Sequence, residues 1–221
     1  MTKSKSSVCY RILVVLSLLA GVLINVIKTS SLPAILSYYT LQSNILCLVV
    51  FVCILFKELR KQSYKSEVYY LVKGGITIAI LITGLTYLFA LAPTGFCMDF
   101  QQKTLANKTI SNLLVHVVSP LLVTLDYFLF DEKGHLKWYY PIIWLFVPFD
   151  YILYVYTYSS SGGTFFCIGG SKKFAYFFLD YEKIGYLGVA KWVVVITACI
   201  LLISYLLVSF DKKMRDKEEL R

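Results

Sequence analysis

Tyr38-Tyr39-Thr40-Leu41-Gln42-Ser43-Asn44 places four polar side chains inside an apolar run from about 34 to 56. A helix crosses the hydrocarbon core with roughly 20 mainly apolar residues, so the run reads as a membrane span in spite of them. Five further segments meet that length: about 9–27, 68–91, 109–130, 138–157 and 186–210. Backbone polar groups in lipid must be satisfied within the chain, which a helix achieves by itself. The expected fold is all-α, a single polytopic bundle of six transmembrane helices occupying residues 1–221.

Composition points the same way. Of 221 residues, 58% are hydrophobic and 16% charged, a balance that a soluble domain of this length could not hide in one core. The first 27 residues imitate a secretory signal, with Lys3, Lys5 and Arg11 ahead of an apolar run from Ile12 to Ile27, but no A-x-A-like cleavage site follows, so they read as a retained first helix. The formal charge of +9 lies in short loops and tails between apolar spans. There it sets topology and attracts anionic headgroups, and nucleic acid is not an expected partner. Lys and Arg number 3 before the first helix, 4 between the second and third, 2 between the fourth and fifth and 5 in the tail. These 14 stand against 6 in the other loops. The positive-inside rule then puts both termini in the cytoplasm of a protein of the cell membrane.

Pro33 is expected to open the second helix, and Pro120 and Pro148 to bend helices around a central cavity. The loop from Tyr158 to Gly185 is either a lid over the outer mouth or a loose connection. Cys97 and Cys167 fall in outer loops, where an oxidised link is geometrically open. Cys9, Cys47, Cys53 and Cys199 read as small apolar packing residues.

A histidine in hydrocarbon needs a reason, and His116 sits in Leu113-Leu114-Val115-His116-Val117-Val118-Ser119-Pro120. At 1.5 Å rise per residue, Thr40 lies roughly 9 Å below the outer end of its helix and His116 roughly 10 Å below the same side. Asn44 is one turn below Thr40 and Asn112 one turn above His116. Asp150 falls at roughly 10 Å as well, and Lys191 joins the set if it turns inward. Asp126 and Lys73 lie instead near the cytoplasmic ends of the fourth and third helices. Opposite signs at matched depth make them an expected structural ion pair.

A threonine hydroxyl becomes a useful nucleophile when a base such as imidazole takes its proton. Thr40 and His116 are the catalytic candidates on that ground, with Asn44 or Asn112 as oxyanion donors and Asp150 orienting the ring. A pocket at that depth meets carbonyls near the headgroup boundary, which favours lipid esters or amides drawn from membrane lipids. There is no G-x-S-x-G elbow and no H-E-x-x-H, and with only His116 and His135 little material exists for zinc. No metal or cofactor is expected.

Three blocks carry a family resemblance: Tyr39-Thr40-Leu41-Gln42-Ser43-Asn44, then His116-Val117-Val118-Ser119-Pro120 leading to Asp126-Tyr127, then Tyr176-Phe177-Phe178-Leu179-Asp180. In order and spacing they resemble bacterial six-helix relatives of the androgen-induced protein and androgen-dependent TFPI-regulating protein family. The resemblance implies an intramembrane threonine hydrolase of fatty-acid esters of hydroxy fatty acids, with Thr40 as nucleophile and His116 as base. Tyr176-Phe177-Phe178 departs from the Tyr-Pro-Phe that relatives tend to carry. Two other classes compete. One is a small transporter or channel using Lys73, Asp126, Asp150 and His116, and the other a non-enzymatic scaffold whose polar residues only lock packing. The sequence does not fix the oligomeric state.

Overall fold

The computed structural model describes residues 2–29, 31–94, 110–167 and 170–219. Six helices in it are long and apolar enough to cross a membrane, as a multi-pass membrane protein requires. They are α1 (Thr2–Lys28), α2 (Tyr39–Leu59), α3 (Glu67–Leu91), α4 (Ile110–Phe130), α5 (Tyr140–Ser160) and α6 (Tyr181–Glu219). α1 packs on α2 and α4, and α3 closes the ring by packing on both of these. α6 lies outside this ring, against α3, the first segment of α5 and the turn Phe177–Leu179.

Packing and hydrogen bonds, rather than exclusion of water, hold helices together in lipid, and small residues allow the close approach this needs. The α5 indole of Trp144 lies on Gly74 and Gly75 of α3 and donates from Nε1 to Leu71 O at 2.9 Å. A Cβ on Gly21 would meet Val115 Cγ1 at 2.9 Å, so that glycine lets α1 approach α4.

Helix ends differ from expectation at four places. α1 starts at Thr2, well before the expected residue 9. Pro33 opens a separate short helix, Leu32–Leu36, and the span itself begins at Tyr39. The cause is local: Ser37 Oγ donates to Pro33 O at 2.6 Å, its backbone N–H turns back to Pro33 and Ala34, and Tyr38 is extended at φ −78°, ψ 135°. Thr40 therefore sits in the first turn of α2 instead of six residues inside it. α5 breaks at Leu145, where Tyr140–Trp144 gives way to Phe146–Ser160, since Pro148 has no N–H to return to Trp144. α6 continues helically well beyond 210 into the charged tail and changes direction at Gly185, whose φ of 68° suits a residue without Cβ.

The connection between α5 and α6 folds back over the Thr40 end of the bundle. It forms a two-stranded antiparallel hairpin, Phe165–Cys167 with Gly170–Lys172, then buries Phe174, Ala175 and Tyr176. Cys97 lies outside the described residues, so the Cys97–Cys167 link falls outside them too. Cys47 is buried, while Cys9, Cys53 and Cys199 face outward.

Candidate active site

Thr40 and His116 meet inside the ring of four helices. Thr40 Oγ1 lies 3.2 Å from His116 Nε2, and both residues are almost fully buried. The other ring nitrogen, Nδ1, is 3.1 Å from the carbonyl of Asn112. A carbonyl can only accept, so Nδ1 carries the proton; in the neutral ring Nε2 is then the acceptor and the Thr40 hydroxyl the donor. Tyr87 of α3 stacks on the imidazole with centroids 4.0 Å apart and planes at 20°.

Local backbone explains how His116 is presented. It lies in a π-helical turn, Leu114–Val118, directly ahead of Pro120. Pro120 has no N–H to give the carbonyl four residues earlier, which is that of His116. The widened turn and the missing bond bring that carbonyl against α3. A Cβ on Gly84 would meet His116 O at 2.9 Å and Pro120 Cβ at 3.2 Å, so only glycine lets the two helices close here.

The remaining members of the expected polar set divide. Asn44 is fully buried one turn from Thr40, but its Nδ2 donates to Thr40 O at 2.7 Å and to Val115 O at 3.1 Å. It ties α2 to α4 and has no N–H left for an oxyanion. Asn112 contributes its backbone carbonyl to the ring of His116, one turn away on the same helix, in place of an amide donor. Asp150 and Lys191 are exposed on the outside of α5 and α6, so neither the orienting role of Asp150 nor an inward Lys191 is available. Counting depth fixes a residue's height and leaves its direction round the helix open. α5 reaches the site through tyrosines: Tyr154 shares a 2.6 Å hydrogen bond with Ser37 Oγ and Tyr151 donates to Ser37 O at 3.2 Å, fixing the break that sets the start of α2.

An apolar cleft runs from Thr40 between α2, α3, α5 and α6. Tyr176 and Phe178 wall it near Thr40, and Ile82, Phe149 and Ile200 line it further along. From Val193 to Ile200 its α6 wall extends seven residues, roughly 10 Å. The α5 segment Phe146–Ser160 makes no broad contact with α6, and the cleft lies between them.

Lys73 and Asp126 are 2.6 Å apart, in a larger cluster than two charges. Arg11, 1% exposed, reaches Asp126 at 3.1 Å, Glu58 at 2.9 Å and Asp131 at 3.6 Å, and donates to Tyr64 at 2.8 Å. Lys73 lies over the ring of Phe51 at 3.7 Å, and Tyr69 donates to Asp131. Sequence reasoning assigned Arg11 to the charged flank, because its burial appears only once α1 is seen to start at Thr2. Between this cluster and Thr40 pack Val14, Leu18, Phe51, Ile80 and Val123, each 0% exposed, with the buried hydroxyls of Ser17 and Ser119 bonded to each other at 2.9 Å and that of Thr77 donating to Lys73 O. No family model, no curated protein and no solved structure matches the chain.

Proposed function

We propose that this multi-pass membrane protein is an intramembrane threonine hydrolase of lipid-like esters, with Thr40 as nucleophile and His116 as general base. The observation that carries the reading is the Thr40 hydroxyl, hydrogen-bonded to a His116 ring of defined tautomer at the head of an apolar cleft. The resemblance to the androgen-induced protein family supports the same two roles and the same ester class.

The chemistry runs in two halves. His116 Nε2 takes the Thr40 proton as Oγ1 attacks the ester carbonyl, giving a tetrahedral oxyanion. When the intermediate collapses, Nε2 returns the proton to the departing alkoxide and an acyl-threonine remains. Nε2 then deprotonates a water that attacks the acyl carbon. Thr40 leaves with that proton, and the carboxylic acid is released. The Asn112 carbonyl holds Nδ1–H throughout and favours the imidazolium that forms. The cleft accommodates the acyl chain, whose length is bounded by the roughly 10 Å from Val193 to Ile200. By the charge distribution of the loops, both termini are cytoplasmic and the Thr40 end faces outward.

Against a transporter stands the mismatch in depth: the paired charges of Arg11, Lys73, Asp126 and Asp131 form a closed cluster away from Thr40 and His116. The experiment is hydrolysis of medium-chain acyl esters, including fatty-acid esters of hydroxy fatty acids, by purified protein in detergent micelles. Turnover by the wild type that Thr40→Ala and His116→Ala abolish supports the reading. Equal rates in all three proteins, or none in the wild type, reject it.

A further inference from the structure

The reaction at Thr40 needs a hydrogen-bond donor for the oxyanion, and the asparagine nearest to it is spent on two carbonyls. Polar groups along the cleft are few. Tyr39 donates to Ala79 O at 3.5 Å, Tyr151 to Ser37 O, and Thr83 to Ala79 O at 3.1 Å. The hydroxyl of Tyr176 lies 3.5 Å from Thr40 Oγ1 and faces the cleft. Among the described residues, Tyr176 is the hydrogen-bond donor that touches both the nucleophile and the cleft.

Tyr176 comes from the connection between α5 and α6 and is held firmly. Its ring stacks on Phe178 at 5.2 Å and 7°, meets Tyr38 edge-on at 6.0 Å and lies beside Tyr151 at 6.2 Å. Thr40 gives its one hydroxyl proton to His116 Nε2, so across the 3.5 Å contact the Tyr176 hydroxyl is the donor and Thr40 Oγ1 the acceptor. Burial pushes this phenol up to about 12. The hydroxyl therefore keeps its proton, and stays a donor, across the whole neutral range.

We propose that Tyr176 is the oxyanion donor of this site: its hydroxyl, preset beside Thr40 by the folded connection, hydrogen-bonds the ester carbonyl oxygen as attack makes it negative. Donors aimed at the place where charge develops lower the barrier without a reorganisation cost at the moment of reaction. Tyr176 is then a catalytic residue from outside the four-helix ring, and folding of the Tyr158 to Gly185 connection completes the site. The inference rests on the hydrolase reading and adds to it a third catalytic group.

The test compares Tyr176→Phe with Tyr156→Phe and Thr40→Ala in purified protein, scored by kcat and KM for a medium-chain ester and by melting temperature. Tyr156 donates to Leu179 O at 3.0 Å and so anchors the same connection without touching the cleft. Loss of one oxyanion donor predicts a fall in kcat of about 10² to 10³-fold in Tyr176→Phe at nearly constant KM. Tyr156→Phe is expected to keep kcat within a few-fold. Wild-type kcat in Tyr176→Phe, with Thr40→Ala inactive, overturns the Tyr176 role and leaves the hydrolase standing. An equal loss in Tyr156→Phe also overturns it, because anchoring of the connection would then be the cause. A wild type without turnover removes both readings together.

Discussion

The bundle buries polar groups at two levels, and they are built on opposite plans. Near Asp126, five ionisable residues from α1, α2, α3 and the end of α4 surround one another, and Arg11 alone touches Asp126, Glu58, Asp131 and Tyr64. Near Thr40, a hydroxyl, an imidazole and a phenol meet in a chain whose first member faces an apolar cleft. Charges in a low-dielectric bundle must be enclosed by partners or they unfold it. Neutral groups tolerate a cleft beside them. The difference assigns the first cluster to holding helices together and the second to chemistry, and each assignment can be broken separately.

The largest separation is expected in activity. Thr40→Ala removes the nucleophile and should bring ester turnover to background. His116→Ala should lose about 10² to 10⁴-fold as the general base goes. Neither breaks a charged contact, so thermal unfolding of Thr40→Ala in micelles should move by no more than about 1.5 kcal/mol, the net worth of a hydrogen bond. Asp126→Ala should do the reverse. It leaves Arg11 and Lys73 short of a partner, costs about 3–5 kcal/mol of stability, and at temperatures where the protein stays folded leaves turnover close to wild type. Activity lost in Asp126→Ala without loss of stability would join the two levels functionally and contradict the division.

A smaller effect is expected at the contact of α3 with the π-turn. Gly84→Ala puts a methyl 2.9 Å from His116 O, and overpacking of this kind costs about 1–3 kcal/mol. Because the strain falls on the residue that carries the base, kcat should drop in Gly84→Ala, and an unchanged kcat would show that the contact serves packing alone. The smallest effect is a pH slope. Burial holds the Asp131 carboxyl above the usual range, beyond the opposing pull of Lys73. The folded protein then retains a proton that the unfolded chain releases, so stability falls as pH rises from about 4 toward the folded value. Asp131→Asn should flatten that slope, and an unchanged slope would place it on another group.

The six spans were legible because each polar residue stands out against an apolar run long enough for a bilayer. The Thr40 and His116 pairing was legible as two polar residues in apolar runs on one side of the bundle, although the depth assigned to Thr40 assumed a helix from about 34 and the span begins at Tyr39. Direction was not, and Asp150 shows why: it shares the height of the site but faces away from it. The start of α2 was misread because Pro33 opens a helix, yet Ser37 ends that helix one turn later through its own hydroxyl. Arg11 looked like a flanking charge, as its three acidic neighbours come from distant parts of the chain. Tyr176 belongs to the third block that carries the family resemblance. Nothing local distinguishes it from the other aromatic residues of its loop, and only the tertiary fold carries its hydroxyl to Thr40.

The central claim is that Thr40 is a nucleophile activated by His116. It is tested most directly by treating the purified protein with a fluorophosphonate and locating the adduct by peptide mass spectrometry. The expected result is a single adduct on Thr40, absent in Thr40→Ala and strongly diminished in His116→Ala, with Asp126→Ala labelled at near wild-type rate while folded. Equal labelling of Thr40→Ala and wild type, or an adduct confined to another residue, would contradict it.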